Sequence, residues 1–249
     1  MESGILKLSA SALETDRRCT RLWGINYVDK IRLPSGFAAS LGTDVHTVAE
    51  NWLSKAIAPP ETRAGRIFIP GMVYLPTPSN DLLIEKYFRW QDEKILWRGF
   101  IDCLDLKTHT VIDHKTTGDF RYMNTVDELK ETVQANLYAK WVSVNYGWED
   151  IKAKWVYYKT KGRTQARQVE VDLPKEHINK KYTEYKTRGL QLYELSQSID
   201  TALEIDVTEF PHNGCFKYGK CGFFEICEQK DKGMKMSDLL AKLKKMSDN

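Results

Sequence analysis

The sequence predicts an α/β protein, a central mixed β-sheet flanked by helices. Three observations carry this. Two segments, 36–57 and 125–146, place apolar residues at steps of three and four, the period of a half-buried helix. The segments 82–89, 95–106 and 110–116 follow one another as β-rich runs with short breaks, which makes antiparallel pairs. A helix then separates them from two further runs, 152–159 and 167–173, as a crossover that adds strands to one sheet.

In order along the chain, residues 9–28 read as a helix opened by Ser9 or Ser11. The next helix carries the stripe Phe37, Leu41, Val45, Val48 and Trp52, and Pro59-Pro60 ends it. Residues 60–80 hold Pro70, Pro76 and Pro78 and read as loop with one short strand. After three strands, the crossover helix carries Val126, Leu129, Val133, Leu137, Trp141 and Val144. A last long helix runs from Pro174 to about Leu203. One domain is expected over 1–232, with 1–30 and 205–232 brought together at its edge. Residues 233–249 are expected to be a solvated tail; the alternative is a partner-docking or DNA-contacting tail, with Leu239, Leu240, Leu243 and Met246 on one face of a short amphipathic helix.

Composition excludes several classes. The 249 residues are 42% hydrophobic and 29% charged, too apolar for a disordered chain. No run approaches the ~20 apolar residues of a membrane span, and the first residues lack the basic start and apolar run of a secretory signal. A cytoplasmic protein, or a viral one acting in a host cytoplasm, without membrane contact is therefore expected. Lys and Arg exceed Asp and Glu by 37 to 34, a net charge of +3, so any contact with nucleic acid must come from a local basic surface. Lys159, Lys161, Arg163 and Arg167 around Gly162 form one such surface, or else a solvated loop.

The most informative stretch runs from Gly99-Phe-Ile-Asp102 to Ile112-Asp113-His-Lys115. A hairpin folded about 106–109 pairs residues whose numbers sum to 215, which sets Asp102 opposite Asp113. Adjacent carboxylates repel unless a proton or cation lies between them. Hard oxygen donors suit Mg²⁺ or Mn²⁺. Lys115, two residues on, shares the face of Asp113 and offers a charge for a phosphate or for the transition state. His46 lies beside the apolar stripe of its helix, with Gly42 one turn earlier to permit close approach. Gln134 and Tyr138, four apart, project together. Glu50, one turn from His46, and Glu85, on the preceding strand, are lesser acidic candidates. Taken singly, each of these groups has an ordinary reading: solvated charges on a hairpin, a packed histidine, exposed glutamates.

Five cysteines, an odd number, argue against a disulfide framework. Cys215, Cys221 and Cys227 fall within thirteen residues and suggest a soft metal centre, with Cys19 or Cys103 as fourth ligand. Cys103 reads as a buried core thiol. Four thiolates hold Zn²⁺ or an iron–sulphur cluster, and spacing alone does not separate the two.

In this order, His46, Gly99-Phe-Ile-Asp102, Ile112-Asp113-His-Lys115 and Gln134-x-x-x-Tyr138 resemble the PD-(D/E)XK nuclease superfamily, and within it the RecB-like branch of AddB-type and CRISPR-associated nucleases. The resemblance spans about residues 9–228. It implies a restriction-endonuclease-like core and metal-dependent cleavage of DNA, as an exonuclease on single strands or duplex ends. It further implies that His46, Asp102, Asp113 and the backbone carbonyl of His114 bind the metal. Lys115 would orient or activate the attacking water, and Gln134 and Tyr138 would position the strand. One cysteine near the start and three near the end is similar to the iron–sulphur members, which implies a [4Fe–4S] cluster on Cys19, Cys215, Cys221 and Cys227. The Cys-x₅-Cys-x₅-Cys spacing departs from the Cys-x-x-Cys pair of many such members. Protein partners in a recombination or CRISPR complex are a further expectation. Two rival readings are a catalytically silent DNA-end binder and a zinc-stapled interaction module.

Overall fold

The computed structural model describes residues 4–34, 36–209, 211–212, 214–216 and 219–247. It forms two compact units. One comprises 36–90 and 98–184; the other comprises 91–97 and the described parts of 1–35 and 185–249.

The first unit holds most of the sheet. Strands β1 (Leu6–Leu8), β2 (Leu82–Asp92), β3 (Ile95–Asp105), β4 (Thr110–Thr117), β5 (Asp150–Lys159) and β6 (Ala166–Pro174) make one mixed sheet. β3 and β4 are antiparallel, β4 and β5 parallel, and β5 and β6 antiparallel, while β2 pairs with β3. The parallel pair follows from the helical crossover, which returns the chain in the same direction. The β3–β4 register is Cys103↔Ile112, Leu104↔Val111 and Asp105↔Thr110, the pairing that sums to 215. The Asp105 carboxylate closes the turn, accepting from Lys107 N at 2.9 Å and Thr108 Oγ1 at 2.7 Å.

Helices cover both faces of this unit's sheet. On one face, α3 (Phe37–Lys55) and α4 (Arg63–Phe68) bury Leu41, Val45, Ala49, Leu53, Ile67 and Phe68 against Ile112, Val156 and Tyr158. On the other, α5 (Val126–Lys130) and α6 (Val133–Tyr146) bury Leu129, Ala139, Trp141 and Val142 against Val111, Ala153 and Trp155. Residues 60–80 are therefore not simply loop: α4 and a 3₁₀ turn, Ile69–Tyr74, occupy most of them. The expected 125–146 helix is two pieces. Thr132 leaves helical geometry and caps α6, accepting from Ala135 N, which ends α5 early.

In the second unit, β1, which sequence patterning did not anticipate, pairs parallel with Ile95–Trp97. The expected helix 9–28 is α1 (Ala10–Arg18) followed by α2 (Thr20–Tyr27), broken at Cys19. There φ −166° and ψ 115° are extended, Cys19 forms a β-bridge with His212, and its thiol caps α2 by accepting from Leu22 N at 3.5 Å. α7 (Lys175–Ser198) begins in the first unit and continues into this one. α8 (Phe224–Asp231) and α9 (Met236–Ser247) follow. The expectation of a solvated tail is thus corrected. Leu239 and Leu243 of α9 are fully buried against Ile25, Leu203, Phe223 and Ile226, and two leucines give the segment an apolar face that water would penalise. Among the described residues, no helix is long and apolar enough to cross a membrane.

Candidate active site and thiol centre

Two strands lose their alternation at the same end of the sheet. On β3, Ile101 and Leu104 face the α6 layer while Cys103 faces the α3 layer. Strict alternation would put Ile101 and Cys103 on one side. On β2, Leu82 and Ile84 face the α3 layer, whereas Phe88 and Trp90 face the α6 layer. That slip spans Glu85, whose φ of +47° lies in the left-handed region that a glutamate rarely enters. Such backbone strain persists only where the surroundings impose it, and it clusters at functional sites.

The residues at these slips are acidic, and α3 brings a histidine to them. The ligand atoms of His46, Glu85 and Asp102 lie within 4.8 Å of one another. His46 Nδ1 stands 3.4 Å from Asp102 Oδ2, which also accepts from His114 N at 2.8 Å. This hydrogen bond replaces the next rung of the β3–β4 ladder. Gly42 makes room for the arrangement: a Cβ there would sit 3.2 Å from Thr116 Oγ1. Glu50 lines the same open groove as His46 and Glu85.

Asp113 lies beside Asp102 and is held from the α6 side. Its carboxylate, 1% exposed, pairs with Lys115 Nζ at 2.6 Å and accepts from Gln134 Nε2. Gln134 Oε1 accepts from the same ammonium at 2.8 Å, and its amide also donates to Tyr138 Oη at 3.0 Å. One glutamine thus fixes the acid and the base together. Tyr138 is buried, so its hydroxyl acts on Gln134. The His114 ring is buried and bonded through Nδ1 to Tyr158 Oη at 2.9 Å.

Electrostatics follow from this packing. Burial and the neighbouring Asp113 push the Asp102 carboxyl well above the usual range, against the His114 N–H that lowers it. Glu85 is raised by burial, then by Glu50 and Asp113. Burial pushes the His46 imidazole down, so its nitrogens stay available to a metal. Burial takes His114 down to about 3. For Lys115 burial acts downward, but Asp113 outweighs it and the ammonium lies above its ordinary value. Two carboxylates and a neutral imidazole converging on one point fit a divalent cation.

Sequence reasoning brought Asp102, Asp113, Lys115, Gln134, Tyr138 and His46 to this place. It left Glu85 as a lesser candidate, and the structure sets Glu85 with His46 and Asp102; alternation along a strand does not reveal a residue at positive φ. Asp113 stands outside the 4.8 Å set, held by Lys115 and Gln134.

The thiols gather in the second unit. Cys19, Cys215 and Cys227 are pushed up by burial first, and each also feels another of the four cysteines: Cys19 feels Cys215, Cys215 feels Cys221 and Cys227, and Cys227 feels Cys19 and Cys221. Arg21, 1% exposed, donates to Ile205 O at 2.9 and 3.2 Å and bonds the Cys227 thiol. His212 Nε2 lies 3.1 Å from Cys215 Sγ. Cys103 is in the other unit, packed among Ile112, Val156 and Tyr158.

Comparison with known proteins agrees with the fold. A crystal structure of a candidate exonuclease from Eubacterium rectale superposes with a TM-score of 0.60 at 11% identity, covering 94% of this chain and 93% of the other. A phage-related exonuclease from Haemophilus somnus 129PT gives a TM-score of 0.39 at 14% identity, covering 78% and 96%. No curated protein matches. The family model of the PD-(D/E)XK nuclease superfamily matches residues 7–69 and 76–228. That match takes in the acidic site and the four clustered cysteines alike, and the chain belongs to the PD-(D/E)XK nuclease superfamily.

Proposed function

We propose that the protein is a divalent-metal-dependent DNA exonuclease of the RecB-like, iron–sulphur kind, acting in the cytoplasm on single strands or duplex ends. The observation that carries this reading is the convergence of His46, Glu85 and Asp102 within 4.8 Å, next to the Asp113–Lys115–Gln134–Tyr138 chain. His46, Glu85 and Asp102 would hold Mg²⁺ or Mn²⁺, with Asp113 and the His114 carbonyl completing the set. The imidazole tilts preference toward Mn²⁺. Such an ion polarises a phosphodiester and makes water a better nucleophile at neutral pH. The chain supplies the rest. The His114 N–H fixes the Asp102 carboxylate. Gln134 locks Lys115 against Asp113, and Tyr138 locks Gln134. Lys115, a third exposed, presents its ammonium to the charge that develops on the phosphate, a fixed cation that needs no reorganisation.

Lys115→Ala is expected to lower turnover by ~100-fold or more while DNA affinity falls much less. Single-turnover cleavage beside a binding isotherm measures both. An equal fall in the two would reduce Lys115 to a phosphate clamp.

The grouping of Cys19 with Cys215, Cys221 and Cys227 supports a [4Fe–4S] cluster in the second unit. Four thiolates from two separate segments can hold a tetrahedral Zn²⁺ or an iron–sulphur cluster, and the cluster is what the resemblance to the iron–sulphur members favours. The buried Arg21 beside Cys227 offsets part of the negative charge that four thiolates bring. DNA repair, recombination, or viral or CRISPR DNA processing is the setting proposed.

A further inference from the structure

We propose that Phe37 is a stacking platform for an unpaired DNA strand, and that the groove beside it, between α4 and the β5–β6 turn, grips that strand's phosphates. The inference deepens the nuclease reading and rests on it. Phe37 opens α3 and is 71% exposed, an unusual position for a large aromatic on a helix that buries Leu41, Val45, Val48, Ala49 and Leu53. The Arg63 guanidinium lies over its ring, 5.4 Å from the centroid, and donates to Thr160 O at 3.3 Å. A cation on one side of an exposed ring strengthens its stacking with a base on the other.

The groove continues from there. Arg63, Arg66, Thr160, Lys161 and Thr164 line it, and no carboxylate does. Among the described residues, none of its three cations forms an ion pair. The whole chain has a net charge of +3, so three unneutralised cations in one groove are a local concentration. The Lys161 stem lies against Gly118, where a Cβ would meet its Cδ at 3.3 Å. That point is three residues past Lys115 on the same strand end. Thr160 N donates to Thr117 O at 2.8 Å, which ties the groove to β4.

Position relates this surface to the acidic site. Phe37 and His46 are nine residues apart on one helix, about 14 Å at 1.5 Å per residue. That is about four phosphates at the 3.4 Å per-strand spacing of a duplex, and fewer in a stretched strand. At about 100° per residue the two also project from opposite sides of α3, so a strand stacked on Phe37 would round the N-terminal part of that helix to reach the acidic site. A paired base keeps its faces covered by its neighbours, so the platform selects unpaired DNA.

The test is binding of a fluorescein-labelled oligothymidylate, and of a blunt duplex of the same length, in EDTA, which separates binding from cleavage. Phe37→Ala is expected to weaken the single strand by ~10-fold and the duplex by less than about 2-fold, with Phe37→Trp restoring affinity. Lys161→Ala should lower the salt slope by about one for the single strand. Unchanged single-strand affinity in Phe37→Ala, an equal loss on both DNAs, or no binding of oligothymidylate by the wild type would overturn the proposal. Mn²⁺-dependent cleavage of duplex ends by the wild type judges the nuclease reading separately.

Discussion

Asp102→Asn is expected to lower cleavage by at least ~10³-fold and, at the same time, to raise the melting temperature of the metal-free protein. The first effect follows from losing a charged metal ligand whose contribution to the transition state is several kcal/mol. The second follows from the neighbours. Asp102 is buried beside Asp113 and Glu85 with a pKa pushed up by burial and by Asp113, so without a cation its charge opposes folding. Asparagine keeps the shape and still accepts from His114 N. Removing the charge therefore removes the repulsion and leaves the hydrogen bond. Thermal melts in EDTA and in Mn²⁺ make the comparison: the variant should exceed the wild type in EDTA and gain less from Mn²⁺. A variant that melts lower in EDTA would show that Asp102 has a structural partner instead.

Cys19→Ser is expected to abolish iron binding and to lower the melting temperature. Serine is a suitable probe at this position. The Cys19 thiol caps α2 by accepting from Leu22 N, and serine is among the best N-caps. The local helix is thus preserved, and the loss reports on the missing thiolate. Cluster binding contributes directly to folding where the ligands come from separate segments, here residue 19 and residues 215–227. Cys103→Ala, in the core of the other unit, should leave the iron unchanged at a cost of about 1 kcal/mol for the small cavity. Iron and sulphide analysis after anaerobic purification decides the matter. Full iron in Cys19→Ser, or stoichiometric zinc in the wild type, would refute the cluster.

What was legible in the sequence depended on periodicity. The α3 stripe, the 125–146 stripe and the β3–β4 register appear as patterns of two and of three to four, and the structure follows their central parts: Leu129, Val133, Leu137 and Trp141 are buried, while Val126 and Val144 at the two ends are exposed. Of the α3 stripe, Leu41, Val45 and Val48 are buried, but Phe37 is not. The features that escaped are breaks in period. The extended Cys19 between α1 and α2 pairs with the distant His212, the Thr132 cap between α5 and α6 is one local residue inside an unbroken apolar stripe, and the slip at Glu85 leaves no mark on the pattern of β2. Glu85 read as a lesser acidic candidate on the preceding strand, because a positive φ is not visible in a strand pattern. The burial of α9 was hidden for a similar reason: Leu239 and Leu243 find their partners more than two hundred residues earlier and in the 200s.

The central claim is that the His46–Glu85–Asp102 cluster and Asp113 form a metal-dependent active site for DNA. Incubation of end-labelled single strands and duplexes of both polarities with the wild type and with Asp113→Ala, each with EDTA or Mn²⁺, tests it most directly. The account predicts stepwise shortening from an end by the wild type in Mn²⁺ alone, and none by Asp113→Ala under either condition. Cleavage by the wild type in EDTA, or near-wild-type cleavage by Asp113→Ala, would contradict it.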